Sequence, residues 1–396
     1  MEGNGTMMGL LRRVAGALGV AALCWTTGCA GFWVAVDSSS SSSSTSGDIV
    51  YVANGTADTV SGFVVGTGTL TAVSGSPVSL GFSPTALAVN PADSILFVAG
   101  SSQIAAFSIA SGGVLGSLTS GVTSGLTDVV AMDISPDGQW LFALDGSFSS
   151  GVVTVYEYQI DSSTGGLTPE AGANISGITG GTTVTNSSAI KVSPNGEFVF
   201  VALGTGGDLS IQFNTAASSG AMSNPNQMTL ASLPTSTMDN ALAVNSDSTI
   251  LYIARSYSTS VGAIAAYSIG SGGVLNPVPV AQGTTGVQPS AVVLNAAGTD
   301  VYVANRTTST ISEFSTTANS SGLLPSLGTG TIDSGSAPIG LAVDNSGDYL
   351  LAAANGGSSD LTMYSYDSTT TGKLDLSAAT ATGTDPTGPV AIAATH

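Results

Sequence analysis

A fifteen-residue segment occurs six times in this chain without a gap, and such a period limits the fold more than any single motif does. The copies are ALAVNPADSILFVAG (86–100), AMDISPDGQWLFALD (131–145), AIKVSPNGEFVFVAL (189–203), ALAVNSDSTILYIAR (241–255), AVVLNAAGTDVYVAN (291–305) and GLAVDNSGDYLLAAA (340–354). Their first residues lie 45, 58, 52, 50 and 49 positions apart, a spacing suited to propeller blades. Each copy pairs a short apolar run with a second one across a turn rich in Pro, Asp, Asn and Gly. One column of the second run holds Phe97, Phe142, Phe200, Tyr252 and Tyr302, with Leu351 as the exception. Alternation around β-branched and aromatic residues, bounded by turn formers, predicts strand, tight turn, strand.

A third run follows every copy: QIAAFSI, VVTVYEYQI, DLSIQF, AIAAYSI, TISEFS and LTMYSY. After it comes a glycine turn into an apolar residue, as in GGVL (112–115 and 272–275) and TGKL (371–374). Counting the strand that starts there, the unit has four antiparallel strands, which is one blade. A seventh copy is split. The last residues, GPVAIAATH (388–396), supply only a first strand, with Pro389 in the position of Pro84, Pro289 and Pro338. GDIVYVAN (47–54), TVSGFVV (59–65) and TGTL (67–70) supply the rest. The expected fold is all-β, a seven-bladed β-propeller of four-stranded antiparallel blades. Pairing the C-terminal strand with the N-terminal ones closes the ring and removes its free edges.

Upstream of the repeats, Arg12 and Arg13 precede a short apolar run (14–25) and the sequence TTGC, which ends at Cys29. The arrangement resembles a bacterial lipoprotein signal, with Gly28 and Cys29 at the lipobox and Thr26 where Leu is usual. It implies a removed leader (1–28), lipidation at Cys29 and an exported, envelope-anchored protein. The run DSSSSSSSTSGD (37–48) then reads as a solvated tether within the linker 29–46, ahead of a propeller over 47–396. Cys24 and Cys29 are the only cysteines, so a folded domain after the leader has no disulfide.

The chain carries 6 basic and 25 acidic residues, a net charge of −19. Removing Arg12, Arg13 and Glu2 with the leader gives 4 − 24 = −20. Such a field repels nucleic acid, anionic membranes and polyanionic substrates.

YVAN with TVSGF, AMDISPDGQWLFAL and DSSTGGLTPE resemble the lactonase-like seven-bladed propellers, from about residue 47 to the end. That family includes 6-phosphogluconolactonases, carboxymuconate-lactonising enzymes and YVTN-repeat surface proteins. Its enzymes rely on clusters of His, Arg and Glu, whereas the single histidine here is the final residue, His396. Chemistry is then to be sought where one copy departs from the others. After the second strand stand Asp145 and Arg255, with Arg306 one step beyond the same column, while Asp128 and Asp239 interrupt a Pro-rich column at the entry to the first strand. Arg255 and Arg306 come from adjacent blades and suit a carboxylate ligand, with Asp145 or Asp239 as base or partner. Asp137, Asp145 and Asp247 are the carboxylates available to a divalent ion, but no calcium-loop spacing accompanies them, and neither metal nor cofactor is expected.

Two functions follow. One is a monomeric surface module binding a protein or glycan ligand, which the missing histidines favour. The other is a lactonase acting on a small neutral or carboxylated lactone, which the resemblance and the two arginines favour.

Overall fold

The apolar runs form strands, and pairing arranges them in seven antiparallel sheets of four main strands each. The computed structural model describes residues 48–396 except 119–122, 125, 148–150, 171, 180–188, 215–221, 231–232, 235, 259 and 383–387. The leader, Cys29 and the linker lie outside the described residues. Blade 1 runs from an inner strand, Pro84–Val89, through Ile95–Gly100 and Gln103–Ile109 to an outer strand, Leu115–Ser117. Blade 2 begins at Val129–Ile134, blade 3 at Ile190–Val192, blade 4 at Thr237–Val244, blade 5 at Pro289–Leu294 and blade 6 at Pro338–Val343.

Blade 7 is the split one. Its inner strand, Pro389–Ala394, pairs antiparallel with Ile49–Asn54 in the register Val52↔Ile392, and Thr59–Gly66 and Thr69–Ala72 complete the sheet. The two ends of the chain therefore share one sheet, which closes the ring as the split copy predicts.

Seven apolar clusters hold the molecule together, one at each blade–blade interface. The second strands supply most of the bulk: Trp140, Tyr51, Tyr302, Phe97, Phe142 and Phe200 are all under 2% exposed. Burying each such side chain contributes about 1.5–3 kcal/mol. Two of the aromatic column's tyrosines also latch neighbouring blades. Tyr51 Oη donates to the Gly113 carbonyl at 2.7 Å, and Tyr302 Oη donates to the Gly372 carbonyl at 2.5 Å. Both acceptors sit in the glycine turns, at φ 81°, where an added Cβ would press on Ile49 or Asp300.

Candidate functional site

One end of the channel is shaped by an irregularity repeated in six blades. The inner strand slips register near its start, between Pro84 and Ala86, Val129 and Ala131, Asp239 and Ala241, Pro289 and Ala291, and Pro338 and Gly340. In blade 7 the same slip separates the pairings of Ala53 and Asn54. Bulges of this kind re-aim side chains at barrel rims. Around this mouth, side chains bond from blade to blade: Asn240 Nδ2 to the Pro289 carbonyl, Ser290 Oγ to that of Pro338, and Asn355 Nδ2 to that of Pro389, each at 2.7 Å.

Just before the inner strands, Asp128, Gln288 and Ala337 adopt left-handed backbone at φ 50°, 56° and 53°. Their carbonyls accept the N–H of Gly146, Arg306 and Asn355 at 2.8, 2.9 and 3.0 Å. The residue after each second strand is thus pinned at the mouth.

The register pairs Asp239 directly with Arg255, and their side chains meet. Arg255 Nε and Nη2 donate to the two Asp239 carboxylate oxygens at 2.5 and 2.8 Å. Nη1 donates to Tyr267 Oη at 2.8 Å, and the guanidinium lies over that ring at 5.7 Å from its centroid. Arg255 is 2% exposed and Asp239 0%. Desolvation works against the charge on Arg255, but the bonds to Asp239 and that residue's charge overcome it and hold the guanidinium protonated. Asp208, fully buried at the start of the third strand of blade 3, lies against this pair, and neither of its carboxyl oxygens meets a hydrogen-bond donor among the described residues. Burial, and then the Asp239 charge, push its carboxyl well above the usual carboxylate range; Arg255 offsets only part of this. The cluster is closed to solvent, and each of the three guanidinium nitrogens is bonded within the protein.

Among the four cations in the described residues, Lys191 pairs with Asp133 at 3.4 Å, and Lys373 with Asp367 and Asp375 at 3.2 and 2.6 Å. Arg306, half-buried at the mouth, makes no ion pair among the described residues. The two arginines singled out by sequence thus sit in different settings: Arg255 is sealed in a seam and Arg306 stands at the rim.

Asp145 also ends a second strand at this mouth and is 6% exposed. Its Oδ2 accepts from Thr127 Oγ1 at 2.6 Å and Tyr156 Oη at 2.9 Å, and its Oδ1 accepts the Ser147 N–H at 2.7 Å. Of roughly four lone-pair sites on a carboxylate, one remains for a water or ligand. Asp137 lies at the opposite end of the strand Trp140–Asp145, where its Oδ1 accepts from Ser135 Oγ and the Gln139 N–H. Asp247 is exposed in the corresponding turn of blade 4. Asp137, Asp145 and Asp247 therefore build no common site, and no group of three ligating residues occurs among the described residues.

Sequence reasoning passed over Glu157. It stands opposite Phe142, is 4% exposed, and lines a cavity of about 340 Å³ in blade 2 together with Asp145, Tyr156, Tyr158 and Glu170. Burial, and then the Glu170 charge, push its carboxyl up to about 7. A signal was present: the same column holds Gly62, Ala106, Ser210, Ala266 and Met363 in other blades and a second glutamate, Glu313, only in blade 5.

The model of a family described as lactonase, seven-bladed beta-propeller, matches residues 76–390. The chain belongs to this lactonase family. Among solved structures, it is similar to the periplasmic gluconolactonase PpgL of Pseudomonas aeruginosa, at 15% identity and a TM-score of 0.67, over 88% of this chain and 99% of that one. A candidate 6-phosphogluconolactonase from Bacteroides uniformis gives 17% identity and a TM-score of 0.66 over 88% and 99%. A protein from Lactobacillus plantarum gives 19% and 0.66 over the same shares. At these identities the likeness establishes the fold. No curated protein sequence matches the chain.

Proposed function

We propose that this propeller hydrolyses a small neutral or carboxylated lactone at the bulged mouth of its channel. Membership of the lactonase family carries the reading, and the guanidinium of Arg306 at the rim, which makes no ion pair among the described residues, supports it. Asp145 takes the proton as water attacks the lactone carbonyl. Arg306 faces the negative charge that develops on the carbonyl oxygen. Collapse of the tetrahedral adduct breaks the ring C–O bond, Asp145 returns its proton to the departing ring oxygen, and a hydroxy acid is released. A preorganised donor of the kind Arg306 provides is worth about 10²–10³ in rate. The net charge of −19 disfavours a phosphorylated substrate.

A panel of aldonolactones and simple γ- and δ-lactones, followed by acid release in a weakly buffered indicator assay, tests the reading. Wild type should exceed the buffer rate, and Arg306→Ala and Asp145→Asn should each lose about 10²-fold or more. Rates equal to buffer for wild type across the panel would sink it. The closure of Arg255 on Asp239 favours a second reading, in which the mouth binds a protein or glycan ligand without turnover.

A further inference from the structure

Blades 7, 1 and 2 share a local break. In each, the outer strand is split in two, and a residue at the break donates its N–H to the residue opposite the aromatic column. The donors and acceptors are Val73 to Gly62 at 2.8 Å, Leu118 to Ala106 at 3.1 Å, and Glu170 to Glu157 at 2.9 Å. In blades 7 and 1 the break is plugged with apolar groups: Val73 is buried in the cluster between blades 7 and 1, and Leu118 packs on that between blades 1 and 2. Blade 2 places two carboxyl groups on the same backbone positions, and a cavity of about 340 Å³ opens there.

Glu157 Oε1 is buried without a hydrogen-bond partner among the described residues. Its counterpart in blade 5, Glu313, is equally buried, but there Oε1 accepts the Leu374 N–H at 2.7 Å. A buried acceptor left unmade costs about 1–3 kcal/mol, so the difference between the two blades marks a place where a donor from outside fits. The cavity is lined by the carboxyls of Asp145, Glu157 and Glu170 and by no basic side chain, with Tyr156 and Tyr158 beside them.

We propose that this cleft binds a small organic cation, with a primary ammonium group seated on Glu157. An ammonium brings three donors and the missing countercharge. Glu170 adds a second carboxylate, the tyrosine rings suit a cation at their faces, and Asn174 at the rim offers polar contacts to the rest of the molecule. A calcium ion fits less well, because it takes six to eight oxygens, and Asp145 already accepts three hydrogen bonds.

Calorimetric titration of the full chain with D-glucosamine hydrochloride, and with D-glucose as the neutral match, tests the proposal. Glucosamine should bind at least about tenfold more tightly than glucose, as expected for hydrogen bonds to a charged group. Glu157→Gln should weaken glucosamine at least about tenfold and leave glucose unchanged, and Glu170→Gln should weaken it a few-fold. If Glu157→Gln fails to fold, Glu170→Gln and the loss of wild-type affinity between about 20 and 200 mM salt decide the matter. No binding, equal affinity for the two sugars, or affinity that survives both substitutions overturns it. Asp145 borders both sites, but neither glutamate takes part in the proposed lactone chemistry, so Glu157→Gln and Glu170→Gln report on ammonium binding and Arg306→Ala on turnover.

Discussion

Two seams of this propeller solve the same problem with different chemistry. Where blade 3 meets blade 4, a buried aspartate, Asp208, lies against the ion pair of Asp239 with Arg255. Where blade 6 meets blade 7, the buried aspartate is Asp360, and the residue in the column of Arg255 is Asn54. There the Thr382 hydroxyl lies 2.9 Å from both Asn54 Oδ1 and Asp360 Oδ2, the Thr382 N–H donates to Asp360 at 3.2 Å, and Ser61 Oγ donates to the Thr382 carbonyl at 2.6 Å.

The seam at Asp360 joins strands from early and late in the chain through short polar side chains and holds no basic group among the described residues. The charged seam lies within a continuous run of chain and holds a guanidinium out of water. A buried ion pair gives little net stability, because desolvation cancels much of the attraction, yet removing one partner is costly. The comparison teaches that a charged letter in the mouth column is no sign of a free charge.

The largest effect expected from breaking this comparison is that of Asp239→Ala, which leaves Arg255 buried without a counterion. It should cost about 3–5 kcal/mol, read as a lowered urea midpoint with an unchanged slope. A change below about 1 kcal/mol would mean that water reaches the guanidinium in solution.

In the seam at Asp360, Thr382→Val removes the one hydroxyl proton that Asn54 Oδ1 and Asp360 Oδ2 share. The expected loss is about 1–3 kcal/mol. Equal losses at the two seams would make them energetically equivalent.

The smallest effect is set by pH. Asp208 holds its proton more tightly in the folded state than in the unfolded chain, where an aspartate titrates near about 4. Its contribution is therefore complete at pH below that value and is lost as pH rises, since ionisation then favours the unfolded state. Asp208→Asn should match wild type near pH 4 and exceed it by about 1 kcal/mol near pH 8, measured by denaturation at several pH values. A gap that does not change with pH would place the proton elsewhere.

Particular residues show how far the sequence could be read. The pairing of Pro389–Ala394 with Ile49–Asn54 was legible, because six intact copies define what the split one lacks. The inner-strand bulges were not, since Pro84, Pro289 and Pro338 mark where the strand starts but do not report its register. Asp239 and Arg255 were noted as separate departures; counting back across the hairpin would have placed them opposite each other. Asp208 gave no such warning, because its neighbours come from the following blade. Glu157 sits in a third strand of ordinary alternation, and only comparison of its column across the blades sets it apart.

By itself, the sequence determined the period, the four-strand unit, the split blade and the closed ring. These rest on alternation, turn chemistry and repetition, which act over a few residues at a time. Only the tertiary structure decided which charged groups are sealed and which face a cavity: Arg255 against Arg306, Glu313 against Glu157. Desolvation and hydrogen-bond satisfaction depend on what the adjacent blade places nearby, and that information lies some fifty residues away along the chain.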